Sequence, residues 1–136
     1  MRVVLDTNVL VAAFVARGVC GDVFERVIVD QELVLSPHIV SEFERVMTEK
    51  LRFDASRVER SIALLRRVAR MVDPAPLAER ICREEDDDAV LALARSSGAS
   101  CLVTGDDDLL ILEIFEKVPI ITPRAFLTFA PPDHEG

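Results

Sequence analysis

The chain has 136 residues, of which 50% are apolar, and its formal net charge is −8. This length and apolar content exclude a disordered protein and predict one domain that needs no disulfide or structural metal to fold. The three cysteines are odd in number and form no C-x-x-C pair, so we expect reduced thiols.

The N-terminal part of the chain predicts two strands with two helices between them. The run RVVL is apolar and β-branched, which is typical of a buried strand, and apolar residues at helical spacing follow it to about Ala16. After a break at Gly18, the segment GDVFERVIVD predicts a second helix and ELVLS predicts a second strand.

The same N-terminal part argues against a membrane protein. Asp6 and Asn8 interrupt its apolar residues, and the uninterrupted segment VLVAAFVA is too short to span a bilayer. We therefore expect neither a signal peptide nor a membrane span, and a cytoplasmic location.

Two helices are predicted in the middle of the chain. Ser36 followed by Pro37 is a helix start, because the hydroxyl caps the first turn and proline suits the first helical position. The segment HIVSEFERVM continues that helix. In DASRVERSIALLRRVARMV, apolar residues recur every three or four positions, which predicts an amphipathic helix with a basic outer face.

After the turn DPAP, the pattern predicts two helices that alternate with two strands, then a short last helix. We expect one domain over residues 1–130 and a disordered tail over residues 131–136. The predicted elements, in chain order, are the helix EEDDDAVLALARSSG, the strand SCLVT, the helix DDDLLILEIFE, the strand VPIIT and the helix TPRAFLTF.

The alternation of strands and helices predicts the fold class. The strands are short and apolar at consecutive positions, which is typical of strands buried on both faces. We therefore predict a three-layer α/β/α sandwich with a short, mostly parallel central sheet.

The acidic residues are concentrated at a few points of the chain. Without eight of them, the remaining 16 acids balance the 16 lysines and arginines, so the negative charge can be assigned to these positions. The eight are Asp6, Glu42, the run Asp86, Asp87 and Asp88, and the run Asp106, Asp107 and Asp108.

These acids can meet at one edge of the sheet. Asp6 follows the first strand and Asp106 follows the strand SCLVT, and ligands of such folds bind beyond the carboxyl ends of the strands. Gathered carboxylates repel one another unless a cation holds them, and Mg²⁺ and Mn²⁺ prefer oxygen ligands. An oxygen-only site with one or two such ions suits phosphodiester cleavage and would let an acidic protein bind RNA.

Each acidic position also has a simpler explanation. Asp6 can be a helix N-cap, and the two aspartate runs can be acids favoured by a helix dipole in the first turn. Glu42 can be an ordinary solvated helix residue.

The motifs resemble those of the PIN-domain family, in particular its VapC-like toxin branch of toxin–antitoxin systems. LDTNVL is similar to the opening motif, SEFERV to the glutamate-bearing helix, and ITPRAFL to the closing strand and helix. EEDDDAVLALARSSGASCLVTGDDDLL is similar to the aspartate helix that leads to T-G-D-x-D-L-L. The resemblance covers nearly the whole chain in order.

The resemblance implies roles for individual residues. The implied catalytic acids and metal ligands are Asp6, Glu42, Asp87 and Asp106, with Asp88 and Asp108 as further candidate ligands. The family usually has Asn at the position of Asp88, so the choice between Asp87 and Asp88 stays open. Polar residues that would orient ligands and water are Thr7, Asn8 and Thr104.

The resemblance also implies a function. It implies a metal-dependent endoribonuclease that uses Mg²⁺ or Mn²⁺ and leaves a 5′-phosphate and a 3′-hydroxyl. It further implies a toxin that acts on cellular RNA, is restrained by a cognate antitoxin protein and forms a homodimer.

Residues 45–70 carry a net charge of +5 in a near-neutral background, so they are a candidate surface for RNA or for an acidic antitoxin. The alternative is a solvated helix face. The candidate residues are Arg45, Arg52, Arg66 and Arg67.

Two other functions fit parts of the sequence. The first is a catalytically inactive PIN-fold module that binds RNA or protein, against which the presence of all four implied acids argues. The second is an aspartyl-phosphate enzyme or phospho-receiver with Asp6 as acceptor. A phosphatase of the haloacid-dehalogenase type needs a second acid two residues after its acceptor, and this chain has Asn8 there. A phospho-receiver needs a lysine late in the chain, in a sequence context that supports this role.

Overall fold

A computed structural model of the protein describes residues 1–129. The predicted tail, residues 131–136, lies outside the described residues. The strands of the described part are β1 (Arg2–Leu5), β2 (Glu32–Leu35), β3 (Ala69–Met71), β4 (Cys101–Val103), β5 (Ile114–Phe115) and β6 (Val118–Ile121). The helices there are α1 (Thr7–Val15), α2 (Gly18–Asp30), α3 (Pro37–Arg45), α4 (Ala55–Val68), α5 (Glu85–Ser97), α6 (Asp107–Leu110) and α7 (Pro123–Phe126), and a π-helical segment, Val46–Lys50, prolongs α3.

One mixed sheet, mostly parallel, organises the fold. Its strand order is β3-β2-β1-β4-β6-β5, and every neighbouring pair is parallel except β5 with β6. At the centre, Val4 of β1 lies between Val34 of β2 and Leu102 of β4. The carboxyl ends of β1 and β4 therefore lie side by side, at the one edge of the sheet where the sequence analysis expected Asp6 and Asp106.

Helices cover both faces of this sheet. Consecutive residues of a strand point to opposite faces, and Val3, Val4 and Leu5 are all fully buried. The same holds for Cys101, Leu102 and Val103 of β4. The predicted three-layer α/β/α sandwich with a mostly parallel sheet is confirmed.

The predicted helix over residues 54–72 is wrong at its end. The helix α4 stops at Val68, and Ala69–Met71 forms β3, which pairs in parallel with β2. Ala69 has an extended backbone, and the N–H of Val72 donates to the carbonyl of Leu35 at 2.9 Å. The apolar residues of this segment fit the repeat of a helix as well as that of a strand, so the hydrogen bonds that β2 offers decide its conformation.

The predicted helix DDDLLILEIFE is also mostly wrong. Only Asp107–Leu110 is helical, and Ile114–Phe115 forms β5, which pairs antiparallel with β6. The two residues that link them, Glu116 and Lys117, both have positive φ angles, of 46° and 75°. Such a turn normally uses Asn or Gly, so its residues give no sequence signal for a hairpin.

Helix starts agree with the sequence where a side-chain cap was predicted. Ser36 Oγ accepts a hydrogen bond from the N–H of Ile39 at 3.1 Å, with Pro37 at the first helical position.

Within residues 1–129, none of the helices alone is long and apolar enough to cross a membrane. Thr7–Val15 and Gly18–Asp30 reach that threshold only as a pair, across a bend of 106°.

Candidate active site

Asp6 lies at the carboxyl end of β1, inside the protein. Its N–H donates to the carbonyl of Val103 at 3.0 Å, which fixes it beside the end of β4, and the residue is only 6% exposed. Its Oδ1 caps α1 by accepting from the N–H of Thr7 at 2.7 Å. Both the N-cap predicted for Asp6 and its position at the sheet edge are therefore present.

Thr104 and Asn8 hold the second carboxylate oxygen of Asp6. Asp6 Oδ2 accepts from Thr104 Oγ1 at 2.8 Å and from Asn8 Nδ2 at 3.1 Å. Thr104 Oγ1 in turn accepts from the N–H of Asp106 at 3.0 Å, and Asn8 Oδ1 accepts from the N–H of Gly105 at 2.9 Å. A side chain that both donates and accepts is needed at each position, because each joins the end of β1 to the turn after β4.

Asp87 and Asp106 approach each other from different elements. Asp106 caps α6, where its Oδ1 accepts from the N–H of Asp108 at 2.9 Å. Asp87 comes from the first turn of α5 and is 7% exposed. Carboxylate oxygens of Asp87, Asp106 and Asp108 lie within 4.8 Å of one another. The Oδ2 atom of Asp87 is buried and has no hydrogen-bond partner among residues 1–129.

Burial and mutual repulsion disturb the ionisation of these acids. Burial raises the pKa of Asp6, and the Asp106 charge adds to it, while hydrogen bonds from Thr104 and Thr7 oppose the shift. The pKa of Asp87 is raised to about 7, first by burial and then by the close Asp106 carboxylate and the charges of Asp6 and Asp108. The site therefore favours a proton or another cation.

All four acids implied by the resemblance line one cleft of about 550 Å³. Glu42, on α3, lies at a different part of this cleft from Asp87. Its Oε1 accepts from Arg45 Nη2 at 2.7 Å, and its carboxylate clusters with His38 and Asp86 within 4.8 Å. The structure thus brings the four acids to one cleft, where Asp87 and Asp106 share one cluster, Glu42 belongs to the other, and Asp6 belongs to neither.

The two further candidate ligands have partners outside the cleft. Asp88 accepts from Arg80 Nε at 3.1 Å and from the N–H groups of Ile81 and Cys82 at 3.2 and 2.8 Å. It therefore anchors the loop before α5. Asp108 accepts from Arg83 Nη2 at 3.1 Å, although it also belongs to the cluster with Asp87.

Sequence reasoning missed His38 and gave Asp86, one of the eight acids, no individual role in the site. His38 Nε2 lies 2.9 Å from Asp86 Oδ1. A signal was available, because His38 and Glu42 are four residues apart and such residues share one helix face. Asp86 could not be assigned from spacing, since it belongs to another helix.

The candidate basic residues do not form one surface with the cleft. Arg45 lines the cleft, whereas Arg66 and Arg67 are exposed in the last turn of α4. Arg52 is exposed and has a positive φ angle of 57°. A contact with RNA or a partner through residues 45–70 would therefore extend beyond the cleft.

The acidic cluster of Asp87, Asp106 and Asp108 fits a hard divalent cation. All its donors are carboxylate oxygens, which Mg²⁺ and Mn²⁺ prefer. The unpartnered Oδ2 of Asp87 is a buried acceptor that such an ion would satisfy. The arrangement can therefore bind an ion and, through it, an anionic substrate.

Comparison with known proteins identifies a family. The profile described as PIN domain matches residues 2–108 of the chain. Among curated proteins, no sequence matches the chain.

Solved structures from three bacteria share the fold. VapBC2 from Rickettsia felis, bound to a DNA fragment from their promoter, is 14% identical with a TM-score of 0.64, over 90% of this chain and 98% of that chain. VapBC-1 from nontypeable Haemophilus influenzae is 17% identical with a TM-score of 0.62, over 91% and 99%. VapC20 from Mycobacterium tuberculosis, a sarcin-ricin loop cleaving toxin, is 17% identical with a TM-score of 0.60, over 86% and 98%. At these identities the likeness establishes the fold alone.

Replacing Asp87 by Asn should change how the stability of the metal-free protein depends on pH. Because folding raises the pKa of Asp87 to about 7, the folded state binds this proton more tightly, and stability falls as pH rises from about 4 to 7. Asp87→Asn has no proton to lose, so it should be more stable than the parent at pH 8, on the order of 1 kcal/mol. The two proteins should converge near pH 4.

Urea unfolding in EDTA at pH 4, 6 and 8 measures this difference. Asp107→Asn is the matched control, since Asp107 is exposed and adjoins the same cluster in sequence. An Asp87→Asn protein that is less stable than its parent at pH 8 would contradict the electrostatic account.

Proposed function

The chain belongs to the PIN-domain family, and we propose that it is a metal-dependent endoribonuclease that hydrolyses RNA phosphodiesters. The observation that carries this proposal is the buried, unpartnered Oδ2 of Asp87 inside a cluster of carboxylates. A fold without a cation at this point has no evident reason to bury an acceptor among like charges.

The implied metal ligands are Asp6, Glu42, Asp87 and Asp106, for one or two Mg²⁺ or Mn²⁺ ions. When bound, such an ion activates water and stabilises the charge that develops on the phosphate during hydrolysis. Because one edge of the cleft is strongly acidic, a bound cation would also allow an RNA backbone to approach it.

The chain's own residues orient the acids. Thr104 and Asn8 fix the Asp6 carboxylate from two directions, so that it cannot rotate away from the cleft. The N-cap of α6 fixes Asp106 in the same way. Arg45 holds the Glu42 carboxylate through a 2.7 Å hydrogen bond.

The hydrogen bonds of Asp88 favour Asp87 as the primary ligand of the pair. The Asp88 carboxylate is occupied by Arg80 and by two backbone N–H groups of the preceding loop. Asp87 lines the cleft and keeps a free oxygen, which supports its assignment as the ligand.

We further propose that the protein is the toxin of a toxin–antitoxin pair in the cytoplasm. The likeness to VapBC structures supports an antitoxin protein as partner, and a homodimer is proposed from the family resemblance. An antitoxin segment that reaches the cleft would restrain cleavage by excluding RNA.

Replacing Asp6 by Asn should abolish RNA cleavage. The purified protein should cut single-stranded RNA with Mg²⁺ or Mn²⁺ and stop when EDTA is added, and Asp6→Asn should lower the rate by about 10²-fold or more. A gel assay with 5′-labelled RNA measures the rate, and circular dichroism checks the fold. Asp107→Asn is the control and should cut like the parent.

Wild-type activity in Asp6→Asn would refute the role of this carboxylate. A parent protein that binds RNA with metal but never cuts it would favour the inactive binding module instead. Cleavage that persists in EDTA would refute metal dependence.

Reversing the charge of Arg66 and Arg67 to Glu should weaken RNA binding without changing metal affinity. If both arginines contact phosphates, the dependence of log K on log salt concentration should become shallower by about two. Filter binding with Asp6→Asn as background avoids cleavage during the measurement.

The double change Lys117→Glu and Arg124→Glu is the matched control, because both residues are exposed and lie outside residues 45–70. Equal RNA affinity and equal salt dependence in the Arg66 and Arg67 variant and its parent would mean that these arginines form only a solvated helix face.

A further inference from the structure

We infer that a second cavity of the molecule binds a basic segment of a partner protein, with an apolar side chain of that segment inserted into it. The cavity has a volume of about 380 Å³ and is lined by the start of α3, by α5 and by the loop over residues 72–84. The four acids proposed as metal ligands all lie outside its lining. The inference therefore stands whether or not the protein cleaves RNA.

The helix α5 lines the cavity and the catalytic cleft with two different faces. The residues that line the cavity are spaced at i, i+3, i+4 and i+7, so they share one face, and they are Glu85, Asp88, Ala89 and Ala92. The residues of α5 that line the cleft are Asp86, Asp87 and Val90. A ligand in the cavity would therefore contact another side of α5 than a metal ion does.

Much of the lining of the cavity is apolar. The helix α5 contributes Ala89 and Ala92, and the loop contributes Pro74, Pro76 and Leu77. The alanine side chains are small, so they leave space for a larger apolar group. A side chain of leucine size that enters this space would lose contact with water, which favours binding.

The loop that lines the cavity is held in place by the protein itself. Residues 72–84 form neither helix nor strand, and irregular segments of this length are usually either disordered or functional. This loop is anchored, because the buried Asp88 carboxylate accepts hydrogen bonds from Arg80 Nε and from the N–H groups of Ile81 and Cys82. A ligand that binds to an ordered lining loses less free energy to the ordering of the protein.

The charges of the lining favour a cationic ligand. The carboxylates of Asp73, Glu79 and Glu85 are exposed, and within residues 1–129 none of them forms an ion pair. Arg80 also lines the cavity, but its guanidinium is paired with Asp88. The three free carboxylates therefore attract Lys and Arg side chains and repel phosphate groups.

A basic segment of a protein fits these features better than RNA does. Its apolar side chain would occupy the apolar part of the cavity, and neighbouring Lys or Arg side chains would reach the free carboxylates. RNA would have to bring its phosphates close to the same carboxylates. Because His38 lines both the cavity and the cleft, the bound segment would lie beside the candidate active site.

Removing two of the free charges tests the inference in the full chain. The probe is the fluorescently labelled peptide KRLLRK, whose binding is measured by fluorescence anisotropy with Mg²⁺ present to compete for the acids of the cleft. The double variant Asp73→Asn with Glu79→Gln should bind the peptide about 5-fold more weakly than the parent, or weaker still. The matched control, Glu44→Gln with Glu113→Gln, changes two exposed acids outside the cavity and should bind like the parent.

Alanine methyl resonances show where the peptide binds. In the parent protein labelled with ¹³C at its alanine methyl groups, KRLLRK should shift the signals of Ala78, Ala89 and Ala92, which line the cavity. The signals of Ala12 and Ala16, which line the cleft, should stay in place. The peptide KRSSRK keeps the charges but lacks the apolar side chains, so it should bind about 5-fold more weakly than KRLLRK.

Equal affinity of KRLLRK for the double variant and its parent would overturn the inference, as would no binding to the parent or shifts confined to Ala12 and Ala16. A single-stranded RNA that shifts the signals of Ala78, Ala89 and Ala92 when the peptide does not would also overturn it and would assign the cavity to RNA. Thermal unfolding checks that the variants fold. Cleavage of RNA is decided separately by the Asp6→Asn assay.

Discussion

The hydrogen bond from Thr104 Oγ1 to Asp6 Oδ2 is the interaction on which the arrangement of the cleft depends. A carboxylate that is almost fully buried needs donors, and here they come from the turn after β4 and from the start of α1. The donor from Thr104 is available because β1 and β4 are parallel neighbours. The sheet topology and the position of the acid thus require each other.

Most of the fold could be predicted from the sequence, and the errors have a common cause. The four strands β1, β2, β4 and β6 are apolar runs between turn or helix signals, so their pattern identifies them. The strands β3 and β5 have three and two residues, and their apolar residues also suit a helix. Their conformation depends on pairing with a neighbouring strand, which no local pattern records.

The site residues that directly follow a strand could be predicted from the sequence. Asp6 and Asp106 follow strands β1 and β4, and the rule that ligands bind beyond strand ends assigns both to one edge. The partners of Asp88 and the meeting of His38 with Asp86 depend on the course of the loop before α5 and on helix placement. Neither has a periodic signal, so sequence reasoning left Asp87 and Asp88 unresolved and could not bring Asp86 to His38, whose spacing from Glu42 was the one available signal.

The hydrogen bonds of the loop before α5 limit how this protein can evolve. Arg80 and Arg83 of that loop bind Asp88 and Asp108, each of which is one or two residues from an acid of the cleft. A mutation that reshapes the loop would therefore also disturb Asp87 and Asp106. The loop cannot be exchanged between relatives as an independent module, whereas no residue of the β5–β6 hairpin lines the cleft.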